Sequence, residues 1–181
     1  MGSLWEALTG PDVVLEDAVL QGHAVIVKDG LFDAIVPVGH VPSAVPIRDL
    51  GSGFLTPGLV DIHSHGAAGC GFSGSDAAGY RTAVTRLLDA GVTTVLPTLA
   101  SASLGSFEQS LDYISGLQDV AGLPRIPGAH LEGPYFAPAQ RGALDATSLR
   151  RPDDGTVERL LEHRDAIRMV SFAPELPGAL R

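Results

Sequence analysis

Apolar and polar positions follow two different rules along this chain, and the change comes near residue 53. Before it, short apolar runs dominate: Val13-Val14-Leu15, Ala24 to Val27 and Phe32 to Val38, with Asp29-Gly30 between the last two as a hairpin turn signal. Residues 1–52 are therefore expected to form a small β-rich layer. His23 and His40 lie at the edges of these runs and read as solvated turn residues. Gly51, Gly53, Pro57 and Gly58 mark the junction. From there to residue 181, strand-like and helix-like segments alternate. Leu59 to His65 reads as a first strand, followed by a Gly-rich loop over Gly66 to Gly74. A helix capped by Ser75 or Asp76 should run to Ala90, with Val84, Leu87 and Leu88 inward and Gly91 as its stop. Val92 to Thr98 is continuously apolar or β-branched, as a strand buried on both faces should be. Phe107, Leu111, Ile114 and Leu117 recur at helical spacing behind a capping box of Ser106 and Gln109. A third strand is expected over Ile126 to Glu132. A helix follows near Thr156 to Arg164, capped by Asp153 or Asp154 and packed through Val157, Leu160 and Leu161. The last strand spans Ile167 to Ala173.

Such repeats predict an α/β fold with a parallel sheet, either doubly wound or part of a (β/α)8 barrel. Both place function at the C-terminal ends of the strands. No G-x-G-x-x-G or P-loop pattern follows the first strand, which favours the barrel, about its first four strand–helix units. The expected domains are 1–52 and 53–181.

Chemistry collects where those strands end. His63 and His65 are two residues apart on one strand, so both imidazoles can address one divalent metal. Asp61 shares that period and is expected to orient a ligand or tie down the barrel floor. Glu132 ends the third strand beside His130. If the strands are near neighbours, two imidazoles and a carboxylate form a zinc-type shell with a place left for water. Such a metal equips a site to hydrolyse an amide. Glu175, just past the last strand, is the one outside candidate for a general base and reads equally well as a solvated loop residue.

Composition narrows the field further. The 181 residues are 45% hydrophobic and 18% charged with a formal net charge of −9, a globular balance without a clustered basic surface. Nucleic-acid and anionic-membrane partners are not expected. Cys70 is the single cysteine, so the chain cannot form an internal disulfide, and the N-terminal segment has no signal-peptide pattern. A cytoplasmic location is the expectation. Lys28 is the only lysine among the 181 residues, which bears on the site because some binuclear metal centres bridge their ions with a modified lysine.

The stretches T-P-G-L-V-D-I-H-S-H-G, V-T-T-V-L-P-T, G-A-H-L-E-G-P-Y-F, R-G-A and S-F-A-P-E occur in this order. Together they resemble the N-acetylglucosamine-6-phosphate deacetylases of the metal-dependent amidohydrolase superfamily. The resemblance implies a (β/α)8 barrel flanked by a composite β-sandwich. It implies deacetylation of N-acetylglucosamine 6-phosphate to glucosamine 6-phosphate and acetate. It also implies a divalent cofactor, zinc first and iron or another ion as alternatives, and a homodimer for the intact enzyme. By similarity Glu132 is a metal ligand, joined by His63 and His65 in members that keep both, while His130 is not. Gly142 and Ala143 fall on the substrate-binding loop. In that frame the chain corresponds to the N-terminal half: two further histidine ligands, the general-base aspartate and much of the phosphate site are expected beyond Arg181, leaving the 181 residues little activity alone. Leu144 stands where the family usually has a histidine, and leucine donates no hydrogen bond. His163 is not expected to replace it. Two alternatives are an amidohydrolase for another N-acyl sugar or N-acyl amino acid, and a non-catalytic half-barrel that self-associates.

Overall fold

A computed structural model describes residues 4–74, 76–100 and 102–180. The chain divides into two compact units, Met1–Pro57 and Gly58–Arg181.

The first unit is all β. Its strands are β1 (Trp5–Thr9), β2 (Asp12–Val14), β3 (Val19–Leu20), β4 (His23–Lys28), β5 (Leu31–Pro37), β6 (Ile47–Asp49) and β7 (Phe54–Leu55). They form a four-stranded sheet ordered β5-β4-β1-β6 and a three-stranded sheet ordered β3-β2-β7, a sandwich-like composite domain. The β4–β5 hairpin turns on Asp29 and Gly30, both at positive φ (51° and 80°) as a type I′ turn requires. β1 is the strand the sequence did not announce. Of its five residues only Trp5 and Thr9 favour strands, yet it lies between β4 and β6 with Ala7 fully buried. Its partners, not its own propensity, make it a strand.

The second unit opens with β8 (Leu59–Ser64). The chain then forms a small hairpin, β9 (Gly66–Ala67) with β10 (Cys70–Gly71), inside what reads as a Gly-rich loop. Next come α1 (Ala77–Asp89), β11 (Val92–Ala100), α2 (Leu104–Ser115), β12 (Ala129–Glu132), α3 (Thr156–Leu161) and β13 (Ile167–Ser171). β8, β11, β12 and β13 are parallel and lie side by side in chain order. A doubly wound sheet reverses its order at a switch point; this sheet does not, and it forms part of a β/α barrel.

The helices start where capping chemistry allows. Asp76 accepts the Gly79 amide at 2.8 Å and starts α1; the other expected cap, Ser75, lies outside the described residues. α2 begins a turn earlier than the pattern suggested, capped by Ser103 accepting from the Ser106 amide at 3.2 Å. Two serines three apart offer the same cap, and the earlier one also brings Leu104 against the core. α3 is short, and Leu161 is exposed rather than packed. Asp154 steadies the start of α3 by accepting from the Thr156 amide and hydroxyl. Burial alone raises the Asp154 carboxyl pKa, but these bonds outweigh it and hold the group below its ordinary value.

The core lies between sheet and helices, with Val95, Leu99 and Leu131 from the strands meeting Val84, Phe107 and Leu111 from the helices. Burying each such side chain contributes about 1.5–3 kcal/mol. The sheet's two outer strands differ from its middle. On β8, Leu59, Val60 and Ile62 are 57%, 65% and 53% exposed.

Candidate metal centre

β8 and β12 do not touch directly; β11 separates them. Even so, their C-terminal ends bring three side chains together. His63 Nε2 lies 3.2 Å from His65 Nε2. Glu132 Oε1 is 3.6 Å from His63 Nε2, and Glu132 Oε2 is 3.4 Å from His65 Nε2. Both histidines are exposed and the glutamate is half-buried.

Each ligand reaches this point by a local device. Gly58 starts β8 where a side chain would collide with Thr93 of β11. Opposite Asp61–Ser64 the pairing slips: Val95 pairs with Asp61, and the next pair is Pro97 with Ser64. Ile62 and His63 thus face the single Leu96, which is a β-bulge. Strict alternation of Asp61, His63 and His65 is therefore lost, and the Asp61 carboxylate instead accepts the His63 amide at 3.0 Å. His65 is fixed from the other side. Its carbonyl accepts the Phe72 amide at 2.9 Å, and Phe72 is fully buried against Tyr80 of α1. Gly66 makes the hairpin possible at φ 134°, where a side chain would strike the Cys70 carbonyl. The Tyr80 hydroxyl donates to the Phe72 carbonyl, and burial pushes its pKa up to about 12.

His130 sits beneath the group and is 1% exposed. Its Nε2 contacts the Ser171 hydroxyl at 2.8 Å and its Nδ1 the Thr98 hydroxyl at 3.2 Å. Its ring meets the His63 ring edge-on, centroids 4.9 Å apart. Burial first, then the neighbouring His63, lowers its pKa, with Glu132 pulling the other way. With both nitrogens engaged by hydroxyls, it holds three strands together rather than facing outward.

The distances permit a chemical test of the donor set. A tetrahedral zinc with bonds of about 2.0–2.1 Å spaces its donors about 3.3 Å apart. The three separations bracket that value. The two imidazole–carboxylate contacts are too long for good hydrogen bonds. The donors, two nitrogens and a carboxylate, are those zinc takes in catalytic sites.

The other expected site residues lie elsewhere. Gly142 and Ala143 are exposed on the loop leaving β12, the strand that carries Glu132. There Arg141 turns back on its own loop, donating to the Gly142 and Leu144 carbonyls. Glu175 is exposed and outside the group. His163 Nδ1 lies 3.6 Å from Asp112 Oδ1, away from the strand ends. The bulge and the Phe72 anchor were not evident beforehand; the run Gly66 to Gly74 was the only signal of the second.

Comparison with known proteins agrees with this geometry. Residues 54–180 match the model described as "Amidohydrolase family", and residues 7–54 match "NagA composite domain". The chain is 29% identical over 171 residues to the N-acetylgalactosamine-6-phosphate deacetylase of Escherichia coli O157:H7, covering 93% of this chain and 44% of that protein. It is 31% identical over 178 residues to the N-acetylglucosamine-6-phosphate deacetylase of Bos taurus, covering 93% of this chain and 42% of that one. A mutant N-acetyl-D-glucosamine-6-phosphate deacetylase from Mycobacterium smegmatis, solved in complex with N-acetyl-D-glucosamine-6-phosphate, aligns with a TM-score of 0.80. It is 33% identical, and the alignment covers 97% of this chain and 45% of that one. The Pasteurella multocida N-acetylglucosamine-6-phosphate deacetylase structure aligns at TM-score 0.87 and 24% identity, covering 97% and 46%, and supports the fold alone. The chain spans less than half the length of these relatives. No helix among the described residues is long and apolar enough to cross a membrane.

Proposed function

Because the chain belongs to the amidohydrolase family, whose enzymes typically depend on metal, we propose that it carries the metal-holding part of a deacetylase for N-acetylglucosamine 6-phosphate. The observation that carries this reading is the meeting of His63, His65 and Glu132 at tetrahedral-zinc spacing. In this reading those three hold one divalent cation, zinc first. When bound, such a cation polarises an amide carbonyl and lowers the pKa of water from about 16 to about 7.

The chain's own residues supply binding and orientation. His63 and His65 present two imidazole nitrogens from one side, and Glu132 adds carboxylate oxygens from across β11. Gly142 and Ala143 are exposed on the loop that follows β12, and in this reading their backbone amides serve the sugar. Leu144 brings no donor to the scissile carbonyl. A missing donor of that kind typically costs about 3–4 kcal/mol of transition-state stabilisation. A general base is not among these groups: Asp61 is engaged with the His63 amide, and Glu175 stands apart. The 181 residues alone are therefore expected to bind metal and turn over slowly.

A second substrate is favoured by one finding: the relative from Escherichia coli O157:H7 is a deacetylase of the galactosamine epimer. Acetate release from both 6-phosphates, with and without the phosphate, decides between the sugars. Release from the phosphorylated pair is expected. Preference for unphosphorylated N-acyl substrates overturns the assignment, and fast turnover by the 181 residues alone overturns the statement about the base.

A further inference from the structure

Beside the ligand His63, β8 carries two further polar side chains, the buried Ser64 and the carboxylate of Asp61. Asp61 sits two residues before His63, at the point where the β8–β11 pairing slips. A bulge disrupts the ladder and leaves a residue unpaired. A free amide at that point lets the bulge relax or migrate by a residue. A one-residue slip turns a strand's side chains to the opposite face. For His63 that means an imidazole directed away from Glu132.

We propose that Asp61 is a positioning residue for the metal site: its carboxylate, by accepting the His63 backbone amide, pins the bulge that brings His63 to His65 and Glu132. Three observations converge on this. The bond is 3.0 Å long and local, from Asp61 Oδ1 to the amide two residues on. The extra residue of β8 falls in the same interval, Ile62 and His63 against Leu96. The adjoining Ser64 is buried and pairs with Pro97, so this bulge lies between Asp61 and Ser64, apart from the earlier slip of the same pair of strands between Val92 and Thr94. Asp61 thus acts through the backbone of a ligand, not on the cation. The inference rests on the metal reading above, and its test separates the two.

The experiment uses the 181-residue chain, titrated with Zn(II) alone by calorimetry and with Co(II) alone by its visible absorption. Parent, Asp61→Ala and Asp61→Asn are compared, and amide exchange at His63 is followed in the metal-free proteins. Outer-shell partners of metal ligands typically contribute about 10–100-fold in affinity. Asp61→Ala is expected to lose about 10-fold or more, to change the Co(II) spectrum and to speed exchange at His63. Asp61→Asn keeps an acceptor oxygen and is expected to retain parental exchange and to bind metal within a few-fold of the parent. Equal losses in both variants with unchanged exchange overturn the proposal, because charge rather than the amide bond is then responsible. Parental affinity in Asp61→Ala overturns it too. If Asp61→Ala does not fold, Asp61→Asn decides alone: weak binding contradicts the proposal. A parent that binds neither ion overturns the metal reading itself, and His63 exchange then still reports on the bulge.

Discussion

Two strand ends in this molecule carry the same short pattern, a histidine followed two residues later by a histidine or glutamate, and they use it differently. At the end of β12, His130-Leu131-Glu132 divides the work. His130 is buried with both nitrogens against hydroxyls, and only Glu132 reaches the open site. At the end of β8, His63-Ser64-His65 keeps both rings exposed and buries the serine between them. The i, i+2 spacing is the same. The difference comes from position in the sheet. β12 lies between two strands that supply Thr98 and Ser171, whereas β8 is an outer strand of the described sheet with a bulge and no neighbour on its other side. Spacing nominates ligands; neighbouring hydroxyls and pairing decide which remain available.

The comparison can be broken most forcefully at the ligands. Glu132→Ala should reduce zinc affinity by more than the roughly 100-fold upper range of outer-shell changes. Its calorimetric isotherm should flatten, and parental binding would place the metal elsewhere. His63→Ala and His130→Phe should then split in opposite directions. His63 is exposed, so its loss should weaken metal binding while metal-free stability stays within about 0.5 kcal/mol. His130→Phe preserves bulk but takes the imidazole from the Ser171 hydroxyl and leaves the Thr98 hydroxyl only its 3.4 Å bond to the Leu96 carbonyl, which should cost about 1–3 kcal/mol in denaturant unfolding. Similar profiles for the two variants would erase the distinction.

The outer strand supplies a weaker effect. Val60 and Ile62 line an open groove of about 500 Å³ with Thr94 and Leu96, and unpaired apolar edges invite association. Ile62→Thr should shift size-exclusion profiles toward the monomer; a parent that is monomeric at high concentration would remove self-association from consideration. The smallest effect lies away from both strand ends. Asp154 has a lowered folded pKa, so its contribution to stability is present above its unfolded value of about 3.8 and is lost as pH falls through the folded value. Asp154→Ala should flatten that acid limb slightly in a pH series of unfolding curves, and an unchanged limb would show that its bonds to Thr156 carry no stability.

Much of this was legible in the residues. The pair of histidines after Pro57-Gly58 and the Glu132 strand end could be nominated by their spacing, and parallel pairing sets the two strand ends on the same side of the sheet. Asp76 and Gly91 bracketed α1 because caps are local. What escaped reading depends on partners. The bulge exists only relative to the register of β11. β1 is a strand only because β4 and β6 flank it, and Leu161 is exposed because α3 ends just there. The β9–β10 hairpin hid among glycines, whose freedom signals a turn without saying what Phe72 will anchor.

The central claim is most directly tested by anomalous diffraction at the zinc edge from crystals of this chain grown with zinc. One strong peak is expected about 2.0–2.1 Å from a nitrogen of His63, a nitrogen of His65 and an oxygen of Glu132. Absence of a peak at that point, or a peak held by other side chains, would contradict it.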